Sequence, residues 1–187
     1  SSGHIGGGIL LAALLGPYAA FLVISAVLLI QALFFADGGL LALGCNIFNM
    51  GFFACFIAYP LIYKQIVKKS FTTKSITAGA ITSVVIGLQL GAFSVVLETL
   101  ISGITELPFT SFVLLMQPIH LAIGLAEGIA TAAVLCFVLK SDPALLDGYD
   151  RSVSEESRMQ KKRVVAILLA AAVIIGGFVS WTQWSGN

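Results

Sequence analysis

Lys64-Gln65-Ile66-Val67-Lys68-Lys69-Ser70-Phe71-Thr72-Thr73-Lys74 is one of two stretches that hold all ten Lys and Arg residues of this 187-residue chain. The other runs from Lys140 through Arg151 and Arg158 to Lys161, Lys162 and Arg163. Everything between them is long apolar sequence with single polar residues. Basic loops stay in the cytoplasm while apolar helices cross between them, so this charge map reads as an all-α polytopic membrane protein.

Composition agrees. Hydrophobic residues make up 58% and charged residues 10%, against about half apolar and a quarter charged in a soluble domain. A net charge of +1 creates no global field for nucleic acid or acidic substrates. The four-Lys loop is read as a topology signal rather than a phosphate patch. Cys45, Cys55 and Cys136 lie in apolar segments without a CxxC, and read as small buried side chains. The chain opens on Ser, and its first apolar stretch is too punctuated by Gly for a signal peptide. Both ends are expected to be internal to a longer chain.

A crossing takes roughly 20 apolar residues. Five stretches meet that length: Pro17–Ala36, Cys45–Val67, Lys74–Ser102, Ile119–Lys140 and Arg163–Trp181. Ile5–Leu15 is too short to span, and Gly16-Pro17 separates it from the first full helix, because Pro opens helices and breaks their interiors. With residues 64–74 and 140–163 cytoplasmic, alternation makes Asp37-Gly38-Gly39 an external turn. It also places His4 at the outer mouth of the short helix. The stretch Gly103–Pro108 followed by Phe109–Met116 and Gln117-Pro118 is too apolar for a loop and too short for a span. It is expected to be a re-entrant or interfacial helix on the outer side. The chain thus divides into a membrane bundle over residues 1–140, a solvated cytoplasmic linker over 141–162 and an extra transmembrane helix over 163–187. The linker mixes acids and bases and contains Ser-Val-Ser-Glu-Glu-Ser.

Gly79, Ser83, Gly87 and Gly91 share one helix face, and Gly124, Gly128 and Ala132 share another. Small residues at this spacing let backbones approach closely in lipid. They serve either packing within the bundle or docking of another membrane subunit.

No GxxxxGK[ST], GxSxG or HExxH pattern is present, and no acid, base or nucleophile pair stands out. Binding rather than catalysis is the default. Polar groups inside spans are costly and often functional. Asn46 and Asn49 are spaced i,i+3, as are Gln117 and His120, and Glu127 lies two turns beyond His120. Each set serves either as interhelical hydrogen bonding or as the wall of a ligand pocket. His4 stands in Ser-Ser-Gly-His-Ile-Gly-Gly-Gly. Imidazole suits nickel, cobalt, copper and zinc, but one His does not make a site.

The runs Gln31–Gly39, Leu43–Met50 and Gln117–Gly128, in that order and with the Gly16-Pro17 break, resemble the substrate-capture (S) subunit, CbiM/NikM type, of energy-coupling-factor (ECF) cobalt/nickel transporters. The resemblance covers about Ser2 to Lys140. The tail from Arg158 to Trp184 is similar, more weakly, to the first helix of a small auxiliary subunit that some of these transporters carry fused. The resemblance implies a square-planar nitrogen site for Ni2+ or Co2+ as transported substrate. Its ligands are the free N-terminal amine, a His close behind it and a further His opening a later helix. His4 matches that last His. The Met-His start is not in this sequence, which makes the chain N-terminally incomplete by this reading. Asn46, Asn49, Gln117, His120 and Glu127 are expected to support the pocket by orienting ligands and loops. Partners are expected to be a transmembrane coupling (T) subunit and cytoplasmic ATPase subunits in the cell membrane, with no nucleic acid involved. The rivals are an S subunit for an organic cofactor or vitamin, a structural membrane subunit, and an intramembrane enzyme working through His120 and Glu127.

Overall fold

The computed structural model describes residues 6–36, 38–68, 70–103 and 107–149, together with 165 and 167. His4 and nearly all of the stretch from Arg163 to Asn187 lie outside these residues, so the fifth expected span is not among the elements below. Among the described residues the chain is all helix. It comprises α1 (Gly8–Leu15), α2 (Pro17–Phe34), a composite helix α3 (Leu40–Val67), α4 (Thr73–Ser102) and α5 (Phe109–Ser141). The last four are long and apolar enough to cross a membrane. The protein is an all-α polytopic membrane protein.

Its interior is built from small side chains. Ala12, Ala20, Cys55, Ala58, Ala80 and Ser83 are wholly buried, while Leu22, Phe34, Leu114, Ile129 and Phe137 face outward. In lipid the apolar side chains gain nothing by turning inward, so close backbone approach decides the packing. The two small-residue stripes are spent inside the bundle. Gly79, Gly87 and Gly91 of α4 meet α3 at Tyr63 and Val67, at Ala54 and Ala58, and at the Asn49 backbone. Gly124 and Gly128 of α5 lie on the Val85 and Ile81 backbone of α4. Of the cysteines, Cys55 is buried as expected, but Cys45 is exposed.

α1 ends where the sequence places its break. Gly16 sits at φ 81°, ψ 163°, and Pro17 opens α2. That backbone region is essentially reserved for glycine. Gly16→Ala is expected to cost about 1–3 kcal/mol, read as a lowered melting temperature in detergent. An unchanged melting curve would refute the strain at this turn.

α3 departs from an ordinary helix. After a short 3-10 turn (Leu40–Ala42) and an α turn (Leu43–Asn46) it continues as a π-helix over Ile47–Tyr63, then returns to α over Lys64–Val67. A π turn holds more residues than the roughly 3.6 of an α turn. Along this segment Phe48 stacks on Phe52, and Tyr59 on Tyr63. Pro60 sits inside this segment, and the Gln65 side-chain amide donates to its carbonyl.

α4 begins at a reciprocal cap in which the Ser75 N–H donates to Thr72 Oγ1 and the Thr72 N–H to Ser75 Oγ. α5 corrects the expected re-entrant helix. Phe109–Met116 is its first two turns, continuous through Pro118. The reason lies in the partner. Gln89 Nε2 donates to the Gln117 carbonyl at 3.0 Å and Gln117 Nε2 to the Gln89 carbonyl at 3.3 Å, bracing the helix beside its proline. Neighbouring helices let membrane proteins carry such a residue. At about 1.5 Å per residue, α4 and α5 are each roughly 45–50 Å long, well beyond the roughly 30 Å hydrocarbon core.

Residues 142–149 depart from the solvated linker expected over 141–162. Leu146 is 2% exposed, and the Tyr149 ring meets Phe71 edge-on at 5.1 Å. This segment closes the Lys-rich end of the bundle because it supplies an apolar side chain and hydrogen-bonding partners that the helix ends lack.

Candidate functional site

α1 stops short of a crossing, and the half-buried Gly6 and Gly7 lead into it. Gly6 and Gly7 stand beside Met50 of α3 and Glu127, about halfway along α5. The N–H of the N-cap residue Gly7 has no partner within α1. Glu127 provides one for it and for Gly6 before it. Gly6 N–H donates to Glu127 Oε2 at 3.0 Å and Gly7 N–H to Oε1 at 2.9 Å. The carboxylate, on a residue only 4% exposed, thus forks onto two successive amides and fixes the lead into α1. Both acceptor oxygens also sit at the positive end of the α1 dipole.

The other expected site residues divide. Asn49 is buried, and its Nδ2 donates to Glu98 Oε2 at 2.9 Å, with Ser94 Oγ donating to Oε1 at 3.4 Å. Its Oδ1 is buried without a hydrogen-bond partner among the described residues. Asn46 does not share this face. Its Nδ2 donates to the Gly38 carbonyl at 3.2 Å. The i,i+3 argument assumed an α-helix throughout, and the wider π turn carries Asn49 round and away from Asn46. Gln117 is engaged by Gln89. His120 does not reach Glu127; its Nδ1 donates to the Met116 carbonyl of its own helix at 2.8 Å. The structure therefore brings Glu127 to the α1 lead and Asn49 to Glu98, and it leaves Asn46, Gln117 and His120 in separate contacts.

Glu98 went unnoticed in the sequence although a signal was there: it is the one acid in α4. Gln89, Tyr59 and Asp147 went unnoticed as well. Among the described residues no three His, Cys, Asp or Glu side chains gather in a cluster that could hold a metal ion. What the described arrangement can do is position a chain segment: a buried carboxylate aims two backbone amides, and the residues before them follow.

Comparison with known proteins bears on what that segment is for. A family model described as the cobalt uptake substrate-specific transmembrane region matches residues 1–145. A cobalt transport protein, CbiM, of Sorangium cellulosum is 33% identical over 74% of this chain and 61% of its own length. An Archaeoglobus fulgidus protein named for fused nickel transport is 35% identical over 79% of this chain and 48% of its own length. A crystal structure of a transition metal transporter superposes with a TM-score of 0.64 at 31% identity, covering 73% of this chain and 64% of that one. The chain spans about half to two thirds of the length of these relatives.

Proposed function

The chain belongs to the cobalt uptake substrate-specific transmembrane family, and from that premise we propose that it is the membrane subunit that captures Co2+ or Ni2+ from the outer side for an ATP-driven importer of the ECF type. The observation that carries this reading is the Glu127 fork on the Gly6 and Gly7 amides. His4 stands two residues before Gly6, so fixing those amides limits where its imidazole can go. In this reading the lead ligates and the bundle orients. His4 is a metal ligand, and Glu127 holds the backbone that carries it. Asn49, held by Glu98, lines the neighbouring wall, and its free Oδ1 is available to a donor on an arriving segment. Asn46, Gln117 and His120 support the surrounding helices. Neutral imidazole is the ligating form, so capture weakens as pH falls.

The Lys-rich end is the cytoplasmic face, and the bundle sits in the cell membrane. Its chemistry is binding, with no reaction catalysed by its own residues. The energy comes from ATPase subunits acting through a transmembrane coupling subunit.

Metal content and uptake of the full natural protein, compared with its His4→Ala variant, test the reading. Near-stoichiometric nickel or cobalt in the wild type, lost together with uptake in the variant, is the expected result. Metal-free preparations of both with equal uptake would sink it and turn attention to an organic ligand beside Asn49 and His120.

A further inference from the structure

At its far end α1 is held by a different residue. The turn at Gly16-Pro17 leaves the Ala13 carbonyl without its helical donor, because the residue four positions on is Pro17, which has no N–H. The backbone N–H of Asp147 takes that place, donating to the Ala13 carbonyl at 2.7 Å. The Asp147 side chain is anchored in turn. Its Oδ2 accepts from the wholly buried Tyr59 hydroxyl at 2.7 Å and pairs with Lys64 Nζ at 3.2 Å. Its Oδ1 lies 3.6 Å from where a side chain on Gly16 would begin. Leu146, buried beside it, and Tyr149, against Phe71, fix the flanking backbone. The segment that leaves α5 therefore grips the C-terminal end of α1, while Glu127 of α5 grips the lead into its start.

We propose that Asp147 is a positioning residue for the capture site: through the rigid, buried α1 it sets where Gly6 and Gly7 stand against Glu127, so that the segment leaving the bundle and the lead that carries His4 move together. The mechanical argument is short. α1 has only eight residues and is packed against α2 and α3 along its length, with Gly8 so close to Ala54 that a Cβ there would lie 2.5 Å away. Such a strut shifts along its axis more readily than it bends, and both ends shift together. A partner that pulls on residues 142–149, or draws Lys64 away from Asp147, would loosen the Glu127 fork without touching it. The metal-release part of this inference rests on the reading that the lead captures metal; the mechanical part does not.

Hydrogen exchange, with a chelator chase of bound Ni2+, tests both parts on the full natural protein. The wild type is compared with Asp147→Ala, Asp147→Asn and Tyr59→Phe. In Asp147→Ala, the Gly6 and Gly7 amides are expected to exchange about tenfold faster, with Ni2+ release faster by a similar factor and the α4 and α5 amides unchanged. All three variants keep the backbone N–H that bonds the Ala13 carbonyl; Asp147→Ala removes its side-chain anchor, and Asp147→Asn and Tyr59→Phe, which only weaken that anchor, are expected to fall between. They also decide the matter if Asp147→Ala does not fold. Faster exchange confined to residues 142–149, with Gly6 and Gly7 unchanged, would overturn the proposal, leaving Asp147 as a tie for the linker alone. Faster exchange at Gly6 and Gly7 with unaltered Ni2+ release would overturn its link to capture. A wild type that binds no Ni2+ would instead refute the capture reading and the release part with it, and the exchange result would still decide the coupling along α1.

Discussion

Glu127→Gln is expected to lower nickel or cobalt affinity by about ten- to a hundredfold, the range seen when a group that orients metal ligands is removed. The carboxylate accepts from Gly6 N–H through one oxygen and from Gly7 N–H through the other. A glutamine at that place has one oxygen and one NH2 group, so one of the two backbone donors would face another donor. Glu127→Ala leaves both amides unpartnered at a buried site, at about 1–3 kcal/mol each. Glu127→Ala should therefore be at least as severe as Glu127→Gln, with Glu127→Asp milder because it keeps two acceptor oxygens on a shorter stem. Metal content by mass spectrometry, measured beside the melting temperature, separates lost capture from lost folding. A glutamine variant that holds wild-type metal would mean that the carboxylate does not position the lead.

Gly91→Val is expected to cost the protein more stability than the same change at Gly79 or Gly87, the other glycines of α4 that meet α3. A Cβ on Gly91 would run into the backbone carbonyl of Asn49, nearer than side chains ever approach. Backbone cannot rotate aside as a flexible side chain can, so the helices must separate, and overpacking of this kind costs about 1–3 kcal/mol or more. Separation would also withdraw Asn49 from Glu98, removing a 2.9 Å hydrogen bond between buried or half-buried groups. A melting temperature several degrees lower in detergent is the expected reading. Gly44→Val, where a Cβ would meet nothing within 4 Å, is the control and should change far less. Equal melting of the Gly91 and Gly44 variants would show that α3 and α4 do not need this approach.

The likeness of the glycine stripes in sequence hid different uses in space. Spacing shows that Gly79, Gly87 and Gly91 share a face, but not what that face meets. The structure puts them against α3 and puts Gly124 and Gly128 against α4, which favours packing within the bundle over docking of another subunit. Phe109–Met116 failed as a separate re-entrant piece for a related reason. Pro118 is a helix breaker when a helix stands alone, and here α4 supplies Gln89 beside it. The polar residues show the same pattern. Glu127 was chosen in the sequence for being an acid inside a span, which is a sound argument from desolvation. Applied evenly, that argument also picks Glu98. Its partnership with Asn49, by contrast, depends on the π-helical phase of α3, which no apolar periodicity reveals.

What the sequence determined by itself are the properties that reside in a short window. Apolar runs of spanning length, two basic loops and the Gly16-Pro17 break together dictate a polytopic helical bundle with a half-length first helix. Each follows from transfer free energy or from proline geometry, and neither depends on which helix lies alongside. The tertiary structure decided the pairings: Glu127 with Gly6 and Gly7, Asn49 with Glu98, and Asp147 with Ala13 and Tyr59. These join residues 121, 49 and 88 positions apart in the bonds from Gly6, Asn49 and Tyr59. A buried polar group in lipid must find a partner, and the sequence states that need. Which partner it finds depends on the rotation and depth at which close-packed helices settle against one another, and those are set only once the backbones meet.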